Sequence, residues 1–242
     1  MADLIIVKVL IGFVITLLFG IIAFVKEMVD DTGFVTGVIL FTFTYVFLDW
    51  QAYVIVIIFF LISGISINIE NKYKAEKGEF ELYKAKRNIQ RVSGRCLAGA
   101  IFGLLFFATS RPEFQLAFVA SYAESAFDTV STKLGKLLSR EAWLITNFKA
   151  VHRGTPGAIS WQGTLCGILA ALILGISAFV VRLINLPDLF VAILAALLGS
   201  AMDSFLNTLS YQKRPIPNEF INFFSSMAAG IAACYMTFGV KG

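Results

Sequence analysis

Apolar residues run in long blocks along this chain, and polar residues break them at intervals. A helix needs about 20 consecutive apolar residues to cross a bilayer, with about 17–25 tolerated. On that rule there are eight candidate segments, near residues 4–25, 34–48, 52–69, 96–110, 114–127, 165–184, 186–206 and 220–240. The second, fourth and fifth are short, and the fifth reads as a half-helix or re-entrant element, so the range is six to eight spans. The pattern predicts an all-α, polytopic membrane protein with at least one short or broken helix. It forms one integral domain over residues 1–242, with a basic loop at 70–95 and a motif-bearing loop at 128–164. Nothing basic precedes the first apolar block, which begins Met1-Ala2-Asp3-Leu4, so that block reads as a retained span rather than a signal peptide.

Charge gives the blocks a direction. Cytoplasmic loops of membrane proteins collect Lys and Arg. With residues 70–95 in the cytoplasm, only Arg111, Arg182 and Lys241 of the 20 basic residues lie in outer segments, and Lys8 lies within the first span. Both chain ends are then expected outside. The fifth and seventh segments run inward, the eighth begins inside, and the polar clusters are expected to meet at the cytoplasmic face.

Composition supports the same class. The chain is 58% hydrophobic and 15% charged, with a mean hydropathy of +0.80, whereas soluble domains are roughly 45–50% apolar and about 25% charged. The net charge of +4 sits where the inside-positive bias already places it, so nucleic acid is not an expected partner. Cys96, Cys166 and Cys234 lie in apolar segments at wide spacing, which suits neither a zinc site nor a disulfide framework. The one histidine, His152, sits in a polar loop, and any Ser-His-Asp triad would have to use that ring.

Three carboxylates stand out because apolar helices normally exclude them: Glu124, Asp128 and Asp203. Burying an uncompensated charge costs several kcal/mol, so such residues point to a partner cation or a proton path. Two fall in similar words, Ser125-Ala126-Phe127-Asp128-Thr129 and Ser200-Ala201-Met202-Asp203-Ser204, on segments of equal direction, which suggests a parallel internal repeat with a site at its interface. Glu124 and Asp128 share a helical face. Mg²⁺ typically takes one or two carboxylates plus substrate phosphates, so Asp128 and Asp203, with Glu124 or Glu219 in support, form a candidate metal set. Thr129, Ser131 and Ser204 add hydroxyl groups. A proton relay, carboxylates paired to Lys133 or Lys136, and helix-end carboxylates reaching headgroup water are the alternatives.

Between the two words lies His152-Arg153-Gly154-Thr155-Pro156-Gly157-Ala158-Ile159-Ser160-Trp161-Gln162-Gly163-Thr164, which opens directly into the sixth segment. Glycines let successive N–H groups point at an anion, a helix N-terminus adds unpaired donors, and Arg153 supplies a fork for phosphate oxygens. In the 70–95 loop, Lys84, Lys86, Arg87, Arg91 and Arg95 form a purely basic stretch. It serves as a topology determinant and lies within reach of a substrate phosphate. Gly99 and Gly103 form a small-xxx-small spacing that fits close helix packing.

Asp128-Thr129-Val130-Ser131-Thr132-Lys133-Leu134-Gly135-Lys136, then Arg153-Gly154-Thr155-Pro156-Gly157-Ala158-Ile159-Ser160 with Gly163-Thr164, closely resembles the phytyl-phosphate kinase family of vitamin E biosynthesis. That family comprises plant, cyanobacterial and archaeal relatives of transmembrane protein 19. Gly199-Ser200-x-x-Asp203-Ser204 and Asn218-Glu219-x-x-Asn222 extend the match. The resemblance implies a kinase that converts an isoprenoid monophosphate to the diphosphate, with CTP or another nucleoside triphosphate as donor. Asp128, Thr129 and Asp203 would then hold Mg²⁺ and phosphates. Arg153, Gly154, Thr155, Gly157 and Ser160 would bind phosphoryl groups, and Asn218, Glu219 and Asn222 would complete the site. Lys136, Gly163, Thr164 and Ser204 belong to the same matched words. One position departs from the family's pattern: Lys133 stands where the family has glutamate, with Thr132 in place of the preceding serine. The competing readings are a CTP-dependent cytidylyltransferase acting on a phospholipid and a small secondary transporter of an anionic substrate.

Overall fold

The computed structural model describes residues 2–77, 88–213 and 215–241, with side chains for 3–77, 88–213 and 215–237. Seven helices are present among the described residues: α1 (Ala2–Val25), α2 (Asp31–Glu76), α3 (Ile89–Thr109), α4 (Pro112–Leu138), α5 (Trp161–Val180), α6 (Leu186–Gln212) and α7 (Asn218–Lys241). Three short strands, β1 (Ala142–Leu144), β2 (Ala150–Val151) and β3 (Ala158–Ile159), lie between α4 and α5.

Side-chain caps start several helices where the sequence supplies them. Asp30 accepts from Gly33 N at 2.8 Å to open α2, Asn88 accepts from Arg91 N at 3.1 Å to open α3, and Ser160 accepts from Gly163 N at 3.1 Å to open α5. Each cap satisfies one of the otherwise unpaired first-turn N–H groups.

Helix α2 has 46 residues, and drawn straight it would extend roughly 70 Å, twice a bilayer's hydrocarbon core. It does not run straight. Asp49 has φ 66° and ψ −170°, outside helical space, and the limbs 31–48 and 50–76 fold back on each other. Phe41 and Phe60 stack edge to face with ring centroids 5.4 Å apart, whereas a straight helix would separate them by roughly 28 Å. The second and third apolar segments of the sequence are these two limbs. Each of the eight segments therefore has most of its length in a helix, the sixth overrunning α5 by 181–184.

Six helices are long and apolar enough to cross a membrane, with α2 taken as one. Helix α4 is the other, and it corrects the expected half-helix: it runs unbroken for 27 residues, and every residue from Leu116 to Val130 is buried. A helix enclosed on all sides forms the centre of a bundle. Around it pack α2, α3, α5, α6 and α7, while α1 lies outermost against α2. Large exposed apolar side chains line the outside, for example Leu10 on α1, Leu169 on α5 and Leu194 on α6, as a lipid-facing surface requires. Gly99 and Gly103 are close-packing positions: a Cβ at Gly99 would overlap Tyr122 of α4, and one at Gly103 would come within 3.1 Å of Leu48 of α2.

The two ends of the bundle are distinguishable. At one end Lys8 of α1 meets Asp49 at 2.6 Å. At the other, Ile89 N donates to Thr32 Oγ1 at 3.1 Å, and Lys133 of α4 meets Glu70 of α2 at 2.7 Å. Helices α4 and α6 run parallel and in register. Gly199 faces Glu124, and Asp203 shares one cavity with Asp128, so both pairs carry the same sequence offset.

Helix α4 extends to Leu138, so Asp128 to Lys136 are helical rather than part of a loop. The connection to α5 is 139–160, folded into a small antiparallel sheet in the order β2-β1-β3. Trp143 of β1 pairs with Ala150 on one side and Ile159 on the other.

Candidate functional site

At the Glu70–Lys133 end, a cavity of about 400 Å³ opens between α3, α4, the 139–160 connection, the first turn of α5, and α6. Asp128 and Asp203 both line it. They lie roughly 15 Å from the ends of their helices, ten residues or fewer at 1.5 Å each, so they form a recessed floor.

Each aspartate is held by neighbours. Arg95 of α3 donates to Asp128 Oδ2 at 3.0 Å and to Ser125 O at 3.2 Å, and Thr132 Oγ1 donates to Asp128 Oδ1 at 3.3 Å. Asn207, one turn beyond Asp203, donates to its Oδ2 at 2.8 Å, and Ser225 of α7 donates to its Oδ1 at 3.4 Å. The sequence alternatives for Asp128 named Lys133 or Lys136 as partner; Arg95 is the partner observed.

Opposite the aspartates stands the glycine-rich segment. Gly154 has φ +90° and Gly157 φ +75°, the left-handed region that glycine enters without a Cβ penalty. A Cβ on Gly157 would overlap Thr208 Oγ1 and lie 2.5 Å from Ser204 O, so only glycine seats this loop on α6. Thr208 Oγ1 donates to Gly157 O at 3.4 Å and to Ser204 O at 2.9 Å. Ser160 receives a hydrogen bond from Ser139 at 2.6 Å while capping α5. Its hydroxyl is thus engaged in positioning the helix start. A Cβ on Gly163 would come within 2.8 Å of Ser131 O, and that contact brings the N-terminus of α5 against the helical word around Asp128.

Most of the residues read from the sequence converge here. Asp128, Thr129, Ser131, Lys136, Arg153, Gly154, Thr155, Gly157, Ser160, Gly163, Thr164, Asp203, Ser204 and Asn218 all line the cavity. Thr129 and Ser131 use their hydroxyls on backbone carbonyls of α4, at 2.7 Å and 3.1 Å. Three others stand apart. Glu124 is buried one turn deeper, where one oxygen accepts from Ser226 at 2.9 Å and from Ser125 at 3.5 Å, and the other has no partner. Asn222 is buried in the bundle, and the backbone of Glu219 packs against Gly94. Arg87 lies outside the described residues. His152 is exposed and points its Nδ1 at Arg153 O, 3.1 Å away.

Lys133 is paired from another helix. Its Nζ meets Glu70 Oε2 at 2.7 Å, and Lys74 meets Glu70 Oε1 at 3.4 Å. Sequence reasoning did not single out Asn207, Ser225 or Glu70. Asn207 carried a usable signal, because it lies four residues after Asp203 on the same helical face. Ser225 and Glu70 arrive from distant segments and carried none.

Among the described residues no group of three or more His, Cys, Asp or Glu is arranged to hold a metal ion. Two carboxylates on one cavity, with room for phosphate oxygens, still match the donor set that Mg²⁺ accepts. Glu124 lies outside that set.

Fold and site together define a polytopic helical membrane protein with a polar, mixed-charge cavity at one end of its bundle. The chain belongs to the integral membrane protein DUF92 family, which it matches over residues 14–229. It is 28% identical over 212 residues to an uncharacterized membrane protein of Synechocystis, covering 86% of this chain and 82% of that one. To the chloroplastic protein VTE6 of Arabidopsis thaliana it is 30% identical over 203 residues, covering 78% and 61% respectively. An uncharacterized membrane protein of Methanocaldococcus jannaschii is 27% identical over 212 residues, covering 85% of this chain and 84% of the relative. No solved structure matches the chain. The kinship implied by the acidic and glycine-rich words is borne out at the level of the family.

Proposed function

We propose that the protein is a lipid-phosphate kinase. It transfers the terminal phosphoryl group of a nucleoside triphosphate, CTP foremost, to an isoprenoid monophosphate such as phytyl phosphate. The observation that carries this reading is the meeting of Asp128 and Asp203, from parallel helices, on a cavity also lined by Arg95, Lys133, Lys136, Arg153 and a glycine-rich loop.

Phosphoryl transfer depends on positioning and on neutralising charge more than on covalent chemistry by the protein. An acceptor phosphate already carries an ionised nucleophilic oxygen at neutral pH. That oxygen attacks the γ-phosphorus, the bond from phosphorus to the β,γ-bridging oxygen breaks, and CDP leaves with the electron pair. No proton has to be removed, so the exposed position of His152 is consistent with the reaction. Asp128 and Asp203 share one guanidinium, Arg95, at the cavity floor, and two neighbouring buried carboxylates are best accommodated with a further cation. Mg²⁺, when bound by Asp128 and Asp203 with the phosphates, would neutralise the charge on the transferring group. Arg95 holds Asp128 in place, and Arg153, Lys136 and the loop backbone receive phosphate oxygens. The inside-positive bias of basic residues supports a cytoplasmic position for this end of the bundle, where nucleotide is available, with the acceptor's apolar tail among the helices.

The test is product analysis with purified protein, Mg²⁺, CTP and phytyl monophosphate. Formation of phytyl diphosphate and CDP is expected. Release of pyrophosphate with a cytidylated lipid would replace the kinase by a cytidylyltransferase, and no product across several nucleotides and prenyl phosphates would overturn the reading.

A further inference from the structure

The last turns of α2 contribute no motif to the proposed reaction and do not line the cavity, yet they hold one of its lining residues, Lys133, from behind. Glu70 is buried, with a side chain only 3% exposed, and it holds two ammonium groups on separate oxygens: Lys133 on Oε2 and Lys74 on Oε1. Lys133 in turn lines the cavity beside Lys136. This stretch of α2 therefore holds a basic side chain of α4 at the cavity wall.

We propose that Glu70 is a positioning residue that fixes Lys133 as a phosphate-binding cation in the wall of the cavity. This deepens the kinase reading and rests on it for the identity of the nucleotide. A lysine stem is flexible, with three donors on a mobile point charge. Left free, Lys133 would swing toward the acidic floor or out to solvent. Glu70 takes one of its three donors and leaves two for phosphate oxygens. The carboxylate does not cancel the site's charge, because Lys74 shares it and the three groups together remain cationic. The polyphosphate of a nucleoside triphosphate is the ligand chemistry that such a wall suits.

Calorimetric binding of CTP to the purified full-length protein tests this, with Glu70→Gln, Lys133→Met, their combination and the exchange Glu70→Lys with Lys133→Glu, each paired with a thermal melt. Glu70→Gln and Lys133→Met are each expected to weaken CTP binding about tenfold, the scale of one charge-assisted contact. Because Glu70 acts through Lys133, the double variant should bind no worse than Lys133→Met alone. The exchange should recover the melting temperature, since it restores an ion pair between α2 and α4, but not the affinity, since the cation has left the wall. Unchanged affinity in Glu70→Gln, losses that multiply in the double variant, or affinity recovered by the exchange would overturn the proposal. Wild-type protein that binds CTP and transfers no phosphoryl group, with Glu70→Gln tenfold weaker, supports the positioning role while removing the kinase reading. Wild-type protein that binds no CTP removes both.

Discussion

Asn207 gives Asp203 a direct hydrogen bond of 2.8 Å and also donates to its backbone carbonyl. A neighbour that orients a metal-binding carboxylate typically carries 10–100-fold in affinity or activity. Asn207→Ala is expected to cost about 10–100-fold in kinase turnover with an unchanged melting temperature, read from paired rate and thermal measurements. Gly157 is the opposite case, because it has no chemistry to lose. Its φ of +75° and its contact with Thr208 leave no space for a methyl group. Gly157→Ala should therefore lower stability by about 1–3 kcal/mol in a denaturant or thermal titration and displace the loop from α6. At this scale the sequence was informative for acids, glycines and the fork of Arg153, each of which has a local signature. It misplaced Glu124. Helical spacing put that residue on the face of Asp128, but Gly199 and Ser226 close over it from α6 and α7. Burial by neighbouring helices is a tertiary property that periodicity does not carry.

The elements were legible wherever an apolar block was long, and less so where two blocks met. A single residue, Asp49, turns α2 back on itself without any glycine or proline, held by Lys8 at 2.6 Å. The sequence supplied the two flanking blocks and no turn chemistry between them. Cross-linking tests the hairpin directly. In a background lacking Cys96, Cys166 and Cys234, cysteines at positions 41 and 60 are expected to be joined by a short bifunctional thiol reagent within one chain. A straight helix would leave them unlinked. The sheet between α4 and α5 was invisible beforehand for a different reason. Its outer strands are two residues long, and they exist only because β1 pairs with both across the connection. Helix α4 was underestimated because Glu124, Asp128, Lys133 and Lys136 interrupt its apolar pattern, although its neighbours supply Arg95 and Glu70 as counter-charges.

On the scale of the whole molecule, the bundle brings two distant words into parallel register and seats the glycine-rich loop across them. Its two ends differ in chemistry. One holds the Lys8–Asp49 pair, and the other the cavity. If the charge bias orients the bundle as argued, a cysteine replacing Trp50 and one replacing Lys149, both exposed, should react with a membrane-impermeant thiol reagent from opposite sides. Labelling of both from one side would contradict that orientation. The polytopic helical class and the grouping of polar words at one end followed from the sequence, because hydrophobic length and charge asymmetry act at that scale. The cross-helix support of the aspartates by Arg95, Asn207 and Ser225 did not, because it depends on which helices become neighbours.

The most direct measurement follows the labelled γ-phosphate of CTP into phytyl monophosphate with purified wild-type protein and with Asp128→Asn and Asp203→Asn, each checked for an intact melt. Labelled diphosphate from the wild type, reduced on the order of 10³-fold in either variant, is the expected result. Transfer that persists in a folded Asp203→Asn protein, or label that never reaches the lipid, would contradict it.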